Sequence, residues 1–177
     1  TLSFAQIADA AGPLSVNGTF ANTKRTYSYG AHAAHVAVDA RVGHVEILDY
    51  VAVEDVGRAI NPALVHGQTF GAVVQGLGGV FLDHIIYDAD AQLLNASLAD
   101  YLLPTASDFP NVRGVTMELH RSPSNPLGAK GAGEGGMVAV AATAGNAVAA
   151  ALTAFNAEPK ELPLSPPRLW RLIHQPS

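Results

Sequence analysis

One carboxylate, Glu134, stands among five glycines in the run Asn125-Pro-Leu-Gly-Ala-Lys-Gly-Ala-Gly-Glu-Gly-Gly136, just ahead of a long uncharged segment. Glycines let backbone come within contact distance of a bulky ligand and take up positive φ. A carboxylate at a helix N-terminus is also favoured by the helix dipole, by ~0.3–1 kcal/mol, so the run suits either a simple helix-end charge or a proton acceptor beside a ligand. A second place of this kind is Val65 to Gly79, where Gln68 and Gln75 are interspersed with five glycines. A glutamine on a glycine-lined face offers both donors and an acceptor to a polar, planar ligand; on the solvent side of an ordinary helix it has no such role.

Other chemistries fit less well. Gly131-Ala-Gly133-Glu-Gly-Gly136 matches G-x-G-x-x-G in form, but the dinucleotide fingerprint needs a strand running straight into it, and here Pro123 and Pro126 intervene. Lys130 is followed by Gly131 rather than Ser or Thr, which removes the P-loop. His32 and His35, with His44 or His66, are read as surface or satisfied histidines, since strand residues three apart face opposite sides. No G-x-S-x-G nucleophile occurs. Glu54, Asp55, Asp88 and Asp90 read as turn and surface carboxylates rather than a glycosidase pair.

The elements that must carry these residues follow from pattern. Leu2 to Ala11 is expected as a short helix ended by Gly12-Pro13, and Leu14 to Tyr27 as an irregular approach. His35 to Asp39 and His44 to Val53, rich in β-branched and aromatic residues, predict a hairpin turning at Arg41-Val-Gly43. Asn61-Pro62 is a helix start with proline at N1, and a helix is expected from there to about Asp83. Its five glycines each cost roughly 0.5–1 kcal/mol against alanine, so something must pack close to it. Leu93 to Leu98 and Val112 to His120 are expected as strands. An Ala-rich helix should cover Met137 to Phe155, and a last helix Leu164 to Ile173, capped by Ser165. This order, with its early hairpin, predicts an α+β fold: a β-hairpin and mixed strands packed with a Gly-rich and an Ala-rich helix.

Composition narrows the function. The 177 residues are 49% hydrophobic and 14% charged, as in a globular domain with a real core. A net charge of −5 with scattered basic residues argues against nucleic acid. Without cysteine the chain itself holds no disulfide, thiolate zinc site or iron–sulfur cluster, so any redox relay lies elsewhere. The uncharged run Gly135 to Ala157 is too Ala-rich for membrane insertion, and the N-terminus lacks a secretion signal; a cytoplasmic location is expected.

Taken together, Asp55-Val-Gly-Arg-Ala-Ile-Asn-Pro62, Gly67-Gln68, Gln75-Gly76-Leu-Gly78 and Gly128-Ala-Lys-Gly131-Ala-Gly133-Glu134 resemble the C-terminal part of the molybdenum-binding large subunit of the xanthine oxidase family, in its carbon monoxide dehydrogenase and aldehyde or N-heterocycle hydroxylase branches. The resemblance spans roughly residues 29–173. It implies a molybdenum-pyranopterin cofactor, as the cytosine dinucleotide, with Gln75, Gly76, Lys130, Gly131 and Gly133 at the cofactor. Glu134 would be the general base beside molybdenum, without ligating it. It further implies that residues 1–28 are an approach segment at the cut end of a larger subunit and 29–177 a molybdopterin-binding subdomain. Partners would be the remainder of that subunit, an iron–sulfur subunit and an FAD subunit. The expected activity is oxidative hydroxylation of an aldehyde, N-heterocycle or related small substrate, or CO oxidation, with water as oxygen source; the isolated chain would be inactive. The rival expectation is a non-catalytic structural or assembly module that keeps the fold without cofactor.

Overall fold

β-Branched and aromatic residues on either side of Arg41-Val-Gly43 form the predicted hairpin. Strand β1 (Tyr29–Asp39) runs antiparallel to β2 (His44–Asp55). At its turn Asp39 accepts the backbone N–H of Arg41 and Gly43 has φ +71°. The chain is described here by a computed structural model covering residues 1–13, 15–21 and 23–175. Leu14 and Asn22, in the expected irregular approach, lie outside the described residues.

From the hairpin the chain enters helix α2 (Pro62–Phe81), where the Asn61 side chain accepts the N–H groups of Ala63 and Leu64, as its position before a proline predicts. It returns through β3 (Val112–Met117), which pairs parallel with β2 from Tyr50↔Val112 to Asp55↔Met117. The sheet order is β1-β2-β3. Helix α1 (Phe4–Ala11) precedes the sheet, with a capping box between Ser3 and Gln6. Helices α3 (Gly135–Val138), α4 (Val140–Ala151) and α5 (Pro166–His174) complete an α+β fold.

The core lies between the sheet and α2, α4 and α5. Ile47, Tyr50 and Ala52 of β2 meet Val73, Leu77 and Val80 of α2, Val140, Ala144 and Val148 of α4, and Leu169 of α5. Ile47 and Tyr50 are three apart yet face the same side. A bulge makes this possible: His35 pairs with Asp49 and Val36 with Ile47, leaving Leu48 as the extra residue.

Three expectations need correction. Leu93 to Leu98 is not a strand; only Leu93 bridges Tyr87, and the Asn95 amide takes over the backbone's role by accepting from Ile86 N–H and donating to the His84 carbonyl. The strand expected to reach His120 ends at Met117, because the N–H groups of Leu119 and His120 turn to the Asp55 carboxylate. The single Ala-rich helix is broken. Ala139, at φ −89° and ψ −7°, separates α3 from α4, and a 3₁₀ turn at Thr153–Phe155 ends at left-handed Asn156. The break lets Gly136 seat on Thr69 and Ala72 while Val140 fits against Gly76, all on α2.

A side chain at Gly43 would meet the Pro166 carbonyl of α5 as well as an unfavourable φ. Gly43→Ala is expected to lower the unfolding free energy by more than ~1 kcal/mol, measured as a shift in the urea midpoint at unchanged slope.

Candidate functional site

Asp55, read from sequence as a surface carboxylate, is buried, with 3% of its surface exposed, and so is its neighbour Glu54. Asp55 Oδ1 accepts from Gly57 N–H at 2.9 Å and from Lys130 Nζ at 2.9 Å. Its Oδ2 accepts from Leu119 N–H at 2.9 Å and His120 N–H at 3.0 Å. Burial alone would raise the Asp55 carboxyl; the Gly57 amide, the Lys130 ammonium and the His120 amide outweigh it and hold it well below the usual carboxylate range. The second face of the Lys130 ammonium lies 4.4 Å from the centre of the Tyr29 ring.

This pairing fixes the glycine loop. Gly57 and Gly128 both have positive φ, and their backbones approach so closely that a Cβ on Gly57 would collide with the Gly128 carbonyl. That carbonyl accepts from Arg58 and Ser122, and Lys130 N–H donates to Val56. Asn125 closes the turn by bonding both the N–H and the carbonyl of Ala129. Beyond Lys130 the loop opens. Gly131 N–H donates to Thr26 Oγ1, and among the described residues, adjoining ones aside, no heavy atom lies within 4 Å of where a Cβ would sit on Gly131 or Gly133.

Glu134 follows at the N-cap position of α3, exposed and making no capping hydrogen bond with its side chain. The next two glycines are the reverse of open: a Cβ on Gly135 would lie 2.9 Å from Glu54 Oε1, and one on Gly136 would lie 2.7 Å from the Thr69 carbonyl. On α2, Ala72 is therefore the residue under α3. Gln68 and Gln75, four before and three after it on the helix, flank that crossing and are exposed. Gly67, Gly71 and Gly79 share the outer side with nothing near them, whereas Gly76 is taken up by Val140.

Of the residues singled out from sequence, Gly131, Gly133 and Glu134 thus share one open loop and Gln75 stands on the helix that α3 crosses. Lys130 is 6% exposed and committed to Asp55, so it acts on the loop from beneath. Sequence reasoning missed Asp55 and Glu54 as buried groups. The signal for Asp55 was present in Asp55-Val-Gly57, an acidic residue two before a glycine, which is the spacing of a side chain bonding its own backbone two residues on. His32 and His35 face opposite sides as expected, His32 inward. Among the described residues no group of three or more His, Asp or Glu is placed to hold a metal ion, and no helix is long and apolar enough to cross a membrane.

Residues 1–110 match the molybdopterin cofactor-binding domain family. The chain belongs to that family, among the molybdenum-binding subunits of xanthine oxidase type. It is 36% identical over 157 residues to subunit gamma of the 6-hydroxypseudooxynicotine dehydrogenase complex of Paenarthrobacter nicotinovorans, an alignment covering 89% of this chain and 20% of that protein. Among solved structures, quinoline 2-oxidoreductase from Pseudomonas putida 86 superposes with a TM-score of 0.78 at 39% identity, over 82% of this chain and 18% of the other. CO dehydrogenase from Oligotropha carboxidovorans gives 0.80 at 32%, over 85% and 18%. The chain spans about a fifth of the length of the curated relatives it matches.

The sign of the Asp55 shift sets a pH test. Its folded value is depressed, so its stabilisation is complete above the unfolded value of about 3.9 and is lost as pH falls toward the folded one. Asp55→Asn should lower the melting temperature by a constant amount through neutral pH, with the gap to wild type closing below about pH 4. Thermal unfolding of both proteins across that range is the measurement.

Proposed function

We propose that this chain forms one wall of the cofactor cleft of a molybdenum hydroxylase large subunit, with Glu134 as general base and Gln75, Gly131 and Gly133 against the pterin. The observation that carries the reading is the contrast within the loop: its base is tied down through Asp55 and Lys130, while Glu134 and the two glycines before it are left open. A structural glycine is normally explained by a neighbour its side chain would strike or by positive φ, and Gly131 and Gly133 have neither.

The residues present suit the group the family binds. Open backbone at Gly131 and Gly133 admits a bulky planar ligand, Gln75 offers a donor and an acceptor on the same side of α2, and Glu134 offers a free proton acceptor. Bound there, the molybdenum-pyranopterin would supply a two-electron oxidant at which a substrate carbon is hydroxylated with oxygen drawn from water. Glu134 takes up the proton released on its carboxylate oxygen. Lys130 and Gly76 support this wall rather than touch the ligand: Lys130 keeps the loop in place, and Gly76 lets Val140 bring α4 onto α2. The relatives named for 6-hydroxypseudooxynicotine and quinoline are 36% and 39% identical, against 32% for CO dehydrogenase, which supports an N-heterocycle as the substrate class. The same reading assigns a cytosine dinucleotide to the pterin, iron–sulfur and FAD subunits as electron acceptors, and a cytoplasmic location.

In the complete enzyme, Glu134→Gln should keep its molybdenum and fold while slowing substrate-driven reduction by at least ~10²-fold, the scale of general-base removal. Rapid mixing with substrate checks this, and a near wild-type rate at full molybdenum content would make Glu134 a helix-end charge only. The chain by itself, one wall of the cleft, should purify without stoichiometric molybdenum; metal analysis decides.

A further inference from the structure

Beneath the Glu134 loop lies a buried polar chain that the proposed chemistry does not use. Tyr50 Oη lies 2.9 Å from His32 Nδ1, and His32 Nε2 lies 3.9 Å from Glu54 Oε1. Glu54 Oε2 accepts from Thr69 Oγ1 at 3.1 Å, while the Thr143 side chain of α4 lies near the Tyr50 hydroxyl. The His32 and Glu54 side chains are 2% and 3% exposed. Among the described residues Glu54 Oε1, fully buried, has no hydrogen-bond partner; it faces His32 Nε2 on one side and, on the other, Gly135, where an added Cβ would stand 2.9 Å from it.

The His32 ring stands between Tyr50 and Glu54, and the Thr69 hydroxyl ties down the other carboxylate oxygen, so that Oε1 is turned toward Gly135. An unpartnered buried acceptor is destabilising, and this one faces the residue directly after Glu134.

We infer that Glu54, held by Thr69 and backed by the His32 ring, is a positioning residue for Glu134: its carboxylate limits how the Gly135 backbone can sit, and so sets where the Glu134 side chain stands. This rests on the reading of Glu134 as the base. It also accounts for glycine at 135, since a Cβ there would strike the buried carboxylate that Thr69 holds by its other oxygen.

The test uses the complete cofactor-loaded enzyme carrying Glu54→Gln, Glu54→Ala, Gly135→Ala and the Glu54→Ala/Gly135→Ala pair, with Glu134→Gln alongside. Expected is a fall in kcat of about tenfold to 10²-fold for the single variants, the scale of a misplaced reacting group, with KM and molybdenum content little changed. Amide exchange should quicken in peptides spanning 131–138 and stay unchanged in α5. The pair should recover rate and exchange protection relative to Gly135→Ala, because the new methyl then occupies vacated space; independent sites would simply add. Singles that keep both kcat and loop exchange, a pair whose losses add, or exchange that rises across the whole subunit would each overturn the inference. If Glu134→Gln itself keeps its rate, the base assignment fails, and the 54–135 coupling in exchange still decides whether Glu54 supports the loop.

Discussion

An ionised carboxylate taken out of water must have its lone pairs filled, because the desolvation penalty otherwise exceeds what its partners return. At Asp55 that requirement is met by four donors drawn from three separate stretches: Gly57 just after β2, Leu119 and His120 just after β3, and Lys130 in the glycine loop. None of these stretches is regular structure. The sheet places Asp55, and Asp55 then places the loops, so the rigidity of the parallel β2–β3 pair is passed to a segment rich in glycine that would otherwise have little reason to hold one shape. The open part of the loop starts one residue after the last of these donors.

Around the site the glycines fall into two physical kinds. Gly57, Gly76, Gly128, Gly135 and Gly136 are explained from within, each by a neighbour that a Cβ would strike. Gly67, Gly71, Gly79, Gly131 and Gly133 meet nothing within 4 Å. Three of these lie in α2, where each costs roughly 0.5–1 kcal/mol of helix stability against alanine. On the proposed reading, that cost falls where the cofactor would meet the chain: the exposed side of a helix and the open side of a loop, beside two exposed glutamines and an exposed carboxylate.

Local rules read most of the frame correctly. Asn61-Pro62, the β-branched hairpin and the end of α1 at Gly12 were legible because each depends on residues adjacent in sequence. The failures came where a distant group took over. Val112 to His120 alternates well enough for a strand, but two of its amides go to Asp55 instead. Met137 to Phe155 has the composition of one helix, but its first turn must meet α2 through Gly136 and its next through Val140, and Ala139 bends to allow both. The candidate site shows the same division. Glu134 and its glycines are visible as a pattern, whereas Glu54 and Asp55, adjacent acids at a strand end, look like surface charge until the strand's register is known.

That register turns on one residue. From Ile47, unbroken alternation would send residues 49, 51, 53 and 55 inward, since strand side chains repeat every two. The extra residue at Leu48 inverts this, so that Tyr50, Ala52 and Glu54 face the helices. Tyr50 thereby reaches Thr143 and His32, and Glu54 reaches Thr69 and the start of α3. Asp55 is left to face the loops, where Lys130 and the amides of 57, 119 and 120 await it. With the opposite parity, the carboxylate with two methylenes would point at the loop donors and the shorter one at α3. The bulge therefore does more than bend the strand: it sorts two neighbouring carboxylates, one under the Glu134 loop and one at its root.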